Sequence, residues 1–171
     1  MCGRDLDHSK VLRRKEKPLK SETVSDKDPQ TKGEVPQTSP KKVLYVEDNL
    51  ADAWLFREVF RRYGRNEFQV NHEVSMRGAL KKLSEEITDL VLLDLTLPES
   101  LGLSTLFRIL LSCPHIPVVV LTGLRDEGTA LQALRWGAQD YVIKDAVFDR
   151  DTLVRIARYS IERHRHLIQN Y

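Results

Sequence analysis

Five side chains in this 171-residue chain have complementary chemistry: the carboxylates of Glu47, Asp48 and Asp94, the Thr122 hydroxyl and the Lys144 ammonium. Each lies at or just beyond the end of a short apolar run, at residues 43–46, 90–93, 118–121 and 141–143. Carboxylates brought together repel one another and have their pKa values raised unless a cation sits among them. Hard oxygen ligands with room for water suit Mg²⁺, which takes one or two carboxylates together with phosphate oxygens. Lys144 and the Thr122 hydroxyl would then bind the oxygens of a phosphoryl group. The eight glycines form neither GxxxxGK nor GxGxxG, so side chains and metal, not a nucleotide cradle, would hold that group.

These residues meet only if the elements before them are neighbouring strands. The runs at 43–46, 90–93 and 118–121 are continuous rather than alternating, as expected of strands buried on both faces of a parallel sheet. A weaker run at 68–74 and the run at 141–143 bring the number to five. Helical patterns lie between them: Leu55, Phe56, Val59, Phe60 and Tyr63, closed by Gly64; Ala79, Leu80 and Leu83; Leu103, Leu106, Phe107, Leu110 and Leu111; Ala130, Ala133 and Leu134, closed by Gly137. A fifth pattern starts near Asp149 or Asp151 and runs through Leu153, Ile156, Ala157 and Ile161. Five strand–helix units predict an α/β fold, a doubly wound five-stranded parallel sheet with helices on both faces. In such sheets the chemistry sits at the carboxyl ends of the strands, which is where the five side chains fall.

Composition sets the frame. Residues 1–40 hold 8 apolar residues, whereas 41–171 hold 62, so only the second stretch can build a core. Residues 1–40 are read as a disordered polar tail, 41–162 as the folded domain and 163–171 as a helical extension. The tail carries 9 Lys/Arg against 7 Asp/Glu and the rest 18 against 18, which is not the footprint of a nucleic-acid-coating protein. Cys2 and Cys113 make no disulfide framework, no apolar run reaches membrane-spanning length, and the start is not a signal peptide; a cytoplasmic protein is expected.

Four segments, in order and each at a strand end, resemble the receiver domain of two-component response regulators, with the chemotaxis-type flavodoxin-like fold. They are Tyr45-Val46-Glu47-Asp48-Asn49; Val91-Leu92-Leu93-Asp94-Leu95 with Pro98 and Gly102; Leu121-Thr122-Gly123; and Gly137-Ala138-Gln139-Asp140-Tyr141-Val142-Ile143-Lys144. The resemblance covers residues 42–161 and implies the strand order 2-1-3-4-5. It implies that Asp94 accepts a phosphoryl group from a phosphohistidine on a histidine kinase or histidine phosphotransfer protein. Glu47, Asp48, Asp94 and the backbone carbonyl of Thr96 would hold Mg²⁺. Lys144 would pair with Asp94 and then with the phosphoryl group. Thr122 and Tyr141 would act as the switch, resetting the face made by the fourth helix, fifth strand and fifth helix. The domain would be no enzyme beyond gaining and losing its own phosphoryl group.

Two departures stand out. The acid pair is Glu47-Asp48 where many relatives have two aspartates, and Asp145 follows Lys144 where many have proline. A cis bond before a non-proline residue costs ~2.5–4 kcal/mol, so a trans bond or a rearranged loop is expected, with Asp145 competing for Lys144, itself expected at an exposed rim. Other readings remain: a receiver-like scaffold that works without phosphorylation, and a haloacid-type phosphohydrolase, which would want an aspartate where Thr96 stands. Cys113 reads as a small buried hydrophobe and His164 and His166 as a solvated basic face. Trp54 is expected to be exposed on the side of Arg57 and Arg61, which allows a cation–π stack, either as part of a contact surface or as a lone surface tryptophan. Leu167, Ile168 and Tyr171 continue an apolar edge with no sheet left to cover, which predicts either a frayed monomeric end or a homodimer through the switch face and the extension.

Overall fold

The computed structural model describes residues 39–123, 125–145 and 149–170, with the side chain of Arg150 excepted. Residues 1–38 of the predicted tail and Tyr171 lie outside these residues. In chain order the elements are β1 (Lys41–Val46), α1 (Leu50–Tyr63), β2 (Phe68–Glu73), α2 (Met76–Glu85), β3 (Leu90–Leu93), β4 (Thr96–Leu97), β5 (Ser100–Leu101), α3 (Leu103–Ser112), β6 (Val118–Thr122), α4 (Glu127–Trp136), β7 (Asp140–Ile143) and α5 (Arg150–Gln169). Five strands form one parallel sheet in the order β2-β1-β3-β6-β7. Numbering only those five strands along the chain, this is the expected 2-1-3-4-5.

Continuous apolarity in β1, β3 and β6 has the predicted consequence, because successive side chains in a strand point to opposite faces. Val43, Tyr45, Leu90, Leu92, Val119 and Leu121 pack under α1 and α5 with Phe56, Val59, Leu153 and Ala157. Their neighbours Leu44, Val46, Val91, Leu93, Val118 and Val120 pack under α2, α3 and α4 with Met76, Leu83, Leu106, Ile109 and Ala133. The order puts β3 in the middle, with its four residues buried.

The helices carry their own start and stop signals. Asn49, Ser75 and Asp126 cap α1, α2 and α4 by accepting backbone N–H bonds with their side chains. Gly137 ends α4 at φ 114°, a left-handed conformation that penalises any residue with a Cβ. Two expected helix faces are corrected. On α3 the buried side chains are Thr105, Leu106 and Ile109, while Phe107 and Leu111 are 49% and 67% exposed. On α4 only Ala133 is buried, and Leu134 is exposed. Phe107 turns instead to Trp136 of α4, with ring centroids 5.7 Å apart. The antiparallel β4–β5 ribbon had no sequence signal, since two residues are too few to show a period.

α5 passes residue 162 without a break. Its second half is tied to the sheet's amino-terminal edge. Arg158 forks onto Glu67 at 2.7–3.1 Å, Lys41 bridges Glu67 and Glu162 at 3.2 and 3.3 Å, and Arg165 reaches Asp89 at 3.4 Å. His164, expected on a solvated face, hydrogen-bonds the His115 carbonyl at 2.9 Å. The helix is therefore anchored as far as Arg165, and the exposed Leu167 and Ile168 lie beyond.

Arg158 and then Lys41 hold the Glu67 carboxyl below the usual carboxylate range. A depressed folded-state pKa adds stability above the unfolded value, and that stability is lost as pH falls through the folded value. Glu67→Gln should cost about 1 kcal/mol at neutral pH. In urea unfolding the gap to wild type should close as pH drops below about 4.

Candidate functional site

The backbone ladder runs one residue past three strands and carries the site with it. Glu47 N–H donates to the Glu73 carbonyl at 2.9 Å, Asp94 N–H to Val46 at 3.0 Å, and Lys144 N–H to Thr122 at 2.8 Å. Glu47, Asp94 and Lys144 are thus fixed at one level above the sheet by main-chain bonds. Thr122 ends β6 and is buried.

At the centre is the Lys144 ammonium, which donates to Glu47 Oε2 at 2.6 Å, Asp94 Oδ2 at 2.8 Å and Asp52 Oδ2 at 3.0 Å. Glu47 and Asp94 are buried, and charges taken out of water persist there only when paired and hydrogen-bonded. Burial raises the Glu47 carboxyl above its usual range, against the pull of Lys144 and the Tyr45 hydroxyl, which donates at 2.7 Å. Burial also disfavours the charged form of Lys144, but hydrogen bonds to Asp94 and Glu47 outweigh it and the ammonium is held above the ordinary lysine value. The other Glu47 oxygen accepts the Asn49 N–H at 3.1 Å. Asp94 Oδ1 accepts both the N–H and the hydroxyl of Thr96, at 3.0 and 2.9 Å. The β4–β5 ribbon begins at Thr96, so it places these donors.

One carboxylate oxygen from each of Glu47, Asp48 and Asp94 lies within 4.8 Å of the others, and Asp48 is exposed at the mouth. An all-oxygen set open to water on one side fits Mg²⁺.

Several expectations change in detail. Lys144 is not at an exposed rim: its side chain is only 11% exposed. Asp145 pairs with Arg125 at 3.0 Å, joining the β7–α5 loop to the β6–α4 loop. No described peptide is cis, so Lys144–Asp145 is trans. Tyr141 is half-buried against the α2–α3–α4 core, and burial, then Asp126 and Asp94, pushes its phenol up. Trp54 is 66% exposed. The expected arginine stack does not form at Trp54: Arg61 forks onto Glu58, and the cation–π contact on this helix is Arg62 over Tyr63. Cys113 is partly buried against the core, and burial raises its thiol pKa.

Sequence reasoning missed Asp52, Tyr45 and His72, whose ring nitrogen lies 2.7 Å from the Glu47 carbonyl. Asp52 is the third residue of α1 after its Asn49 cap, where an acid ordinarily reads as part of the cap. The usable signal was position: it lies one helical turn beyond Asp48.

The family model described as response regulator receiver domain matches residues 43–158. The chain belongs to this family. It is 36% identical over 107 residues to the transcriptional regulatory protein ZraR of Escherichia coli strain K12, covering 63% of this chain and 24% of that protein. The chain therefore spans about a quarter of the length of this curated relative. Among solved structures, the CheY-like response regulator receiver domain protein of Methanospirillum hungatei JF-1 superposes with a TM-score of 0.65 at 20% identity, covering 75% of this chain and 98% of that one. The beryllofluoride-activated NtrC4 receiver domain dimer gives 0.64 at 23%, covering 72% and 98%. At these identities the two structures attest the fold.

Removing the receiver's buried cation leaves its carboxylates unneutralised. Lys144→Met should lower stability by about 3 kcal/mol in Mg²⁺-free buffer. Added Mg²⁺ should raise the urea midpoint of the variant more than that of wild type, because a dication takes over the lost charge.

Proposed function

We propose that this receiver accepts a phosphoryl group on Asp94 from a phosphohistidine of a histidine kinase or histidine phosphotransfer protein. The reading is carried by one observation: Lys144 bridges buried Glu47 and Asp94 while Asp48 completes an oxygen cluster beside them. A scaffold has no need of such a cluster, since pairing charges in the interior seldom gains stability over apolar packing.

In the transfer the donor's N–P bond breaks, its electron pair leaves with the imidazole nitrogen, and an Asp94 oxygen forms the new P–O bond. The chain's part is positioning and charge neutralisation, as in other phosphoryl transfers. Thr96 orients the Asp94 carboxylate through its two bonds to Oδ1. Lys144 neutralises the acceptor before transfer and the phosphoryl oxygens after it. Glu47, Asp48, Asp94 and the Thr96 backbone carbonyl would hold Mg²⁺, which when bound draws charge from the phosphoryl oxygens. Thr122 would move towards the phosphoryl group and Tyr141 would follow inward, resetting the face built by α4, β7 and α5. Added negative charge is the bias on that two-state element. A homodimer through this face and the end of α5 belongs to the same reading; a receiver of the same fold, NtrC4, is described as a dimer when beryllofluoride-activated. So does a cytoplasmic location, and no helix among the described residues is long and apolar enough to cross a membrane.

Incubation with phosphoramidate and Mg²⁺ should add one phosphoryl group to the intact mass. Asp94→Asn should abolish the gain, and chelation of Mg²⁺ should slow it. Unchanged labelling of Asp94→Asn would move the acceptor elsewhere, and no labelling of wild type would favour the phosphorylation-independent scaffold.

A further inference from the structure

An ammonium has three N–H bonds, and all three of Lys144 are used. Two of the acceptors, Glu47 and Asp94, belong to the oxygen cluster that fits a dication. The third, Asp52, lies outside that cluster. It also comes from a separate element. Asp52 sits in the first turn of α1, where its backbone N–H is bonded to the Asn49 cap and the helix dipole favours a negative charge. Its bond to Lys144 joins positions 92 residues apart, tying the end of β7 to the start of α1.

On the reading of Asp94 as acceptor, the other two acceptors would weaken during transfer. A bound dication would draw charge and lone pairs from Glu47 and Asp94, and the oxygen of Asp94 that carries phosphorus would no longer be a carboxylate oxygen. Asp52 is engaged by neither. Its side chain is 36% exposed and lies outside the oxygen cluster, so its bond to Lys144 needs no dication beside it.

We propose that Asp52 is a positioning residue for the phosphoryl chemistry of Asp94: it holds the Lys144 ammonium over the acceptor while Glu47 and Asp94 are engaged by the cation and the phosphoryl group. This rests on the reading of Asp94 as acceptor. The covalent step is unchanged by it. With phosphoramidate, the P–N bond breaks, an Asp94 oxygen forms the P–O bond, and the already protonated donor nitrogen leaves as ammonia. Lys144 neither gains nor loses a proton, and Asp52 touches neither donor nor phosphorus.

The test follows phosphoramidate labelling by intact mass in wild type, Asp52→Ala, Asp52→Asn and Asp94→Asn, with Mg²⁺ affinity measured by calorimetry. Asp52→Ala should label about tenfold more slowly, since a displaced charged group loses much of its effect on the transition state. Asp52→Asn, which keeps an acceptor oxygen but no charge, should fall between. Mg²⁺ affinity should stay within about twofold of wild type, a split that a general loss of structure would not produce. Equal labelling rates in wild type and Asp52→Ala would overturn the proposal. So would a parallel loss of Mg²⁺ affinity, which would make Asp52 a metal ligand. Urea unfolding of Asp52→Ala, Lys144→Met and the double variant reads the tether without any phosphodonor. Non-additive effects are expected, and strict additivity would overturn it. Non-additive unfolding with no labelling of wild type would remove the acceptor reading, and the positioning role with it.

Discussion

The site depends on one ammonium shared by three carboxylates. Buried Glu47 and Asp94 could not both stay ionised side by side without it, and Lys144 could not be buried without them. That mutual requirement constrains the fold around it. β1, β3 and β7 must end at one level, and the main-chain bonds from Glu47, Asp94 and Lys144 to the neighbouring strands hold them there. The parallel order puts β1 beside β3 and sends β7 to the edge, so the lysine must reach across β6 to meet its partners. A long flexible stem makes that possible, and the carboxylates around its end are why a charged residue tolerates so little exposure.

A cluster held by a single cation is also easily reset. On the proposed function, a dication and a phosphoryl group brought to the acids would change the charge that Lys144 sees, without opening a cavity or breaking the sheet. The sheet, packed on both faces by alternate residues of the same strands, is the rigid part. The loop that follows Thr122 and the loop that carries Lys144 beyond β7 are where a two-state change is least costly.

Much of this was legible in the sequence. Continuous apolar runs of about four residues, rich in valine and leucine, fit strands covered on both sides, and polar residues at their ends then fall on one rim. What was not legible follows from the limits of local patterns. Periodicity marks a helix's apolar residues but not whether they meet the sheet or a neighbouring helix, so it groups Phe107 with Leu106 although Phe107 turns to Trp136. A charged residue at a strand end reads as exposed, and the burial of Lys144 appears only when three acids from distant positions close over it. Asp52 was hidden because a helix's third residue has a sufficient local reason to be acidic. Polar ties along α5 escaped for a similar reason: alternating charges on a helix look the same whether they face water or Glu67 and Asp89.

The pair between Arg125 and Asp145 has a consequence for how the two loops communicate. Proline at position 145 would link chain geometry to the lysine through covalent structure, indifferent to the surrounding solution. An ion pair whose arginine is 69% exposed is instead screened by dissolved ions over a Debye length of roughly 10 Å at 0.1 M. The Arg125–Asp145 tie between the loop after Thr122 and the loop after Lys144 therefore weakens as salt rises, and under the proposed phosphoryl switch ionic strength would itself be one of its settings.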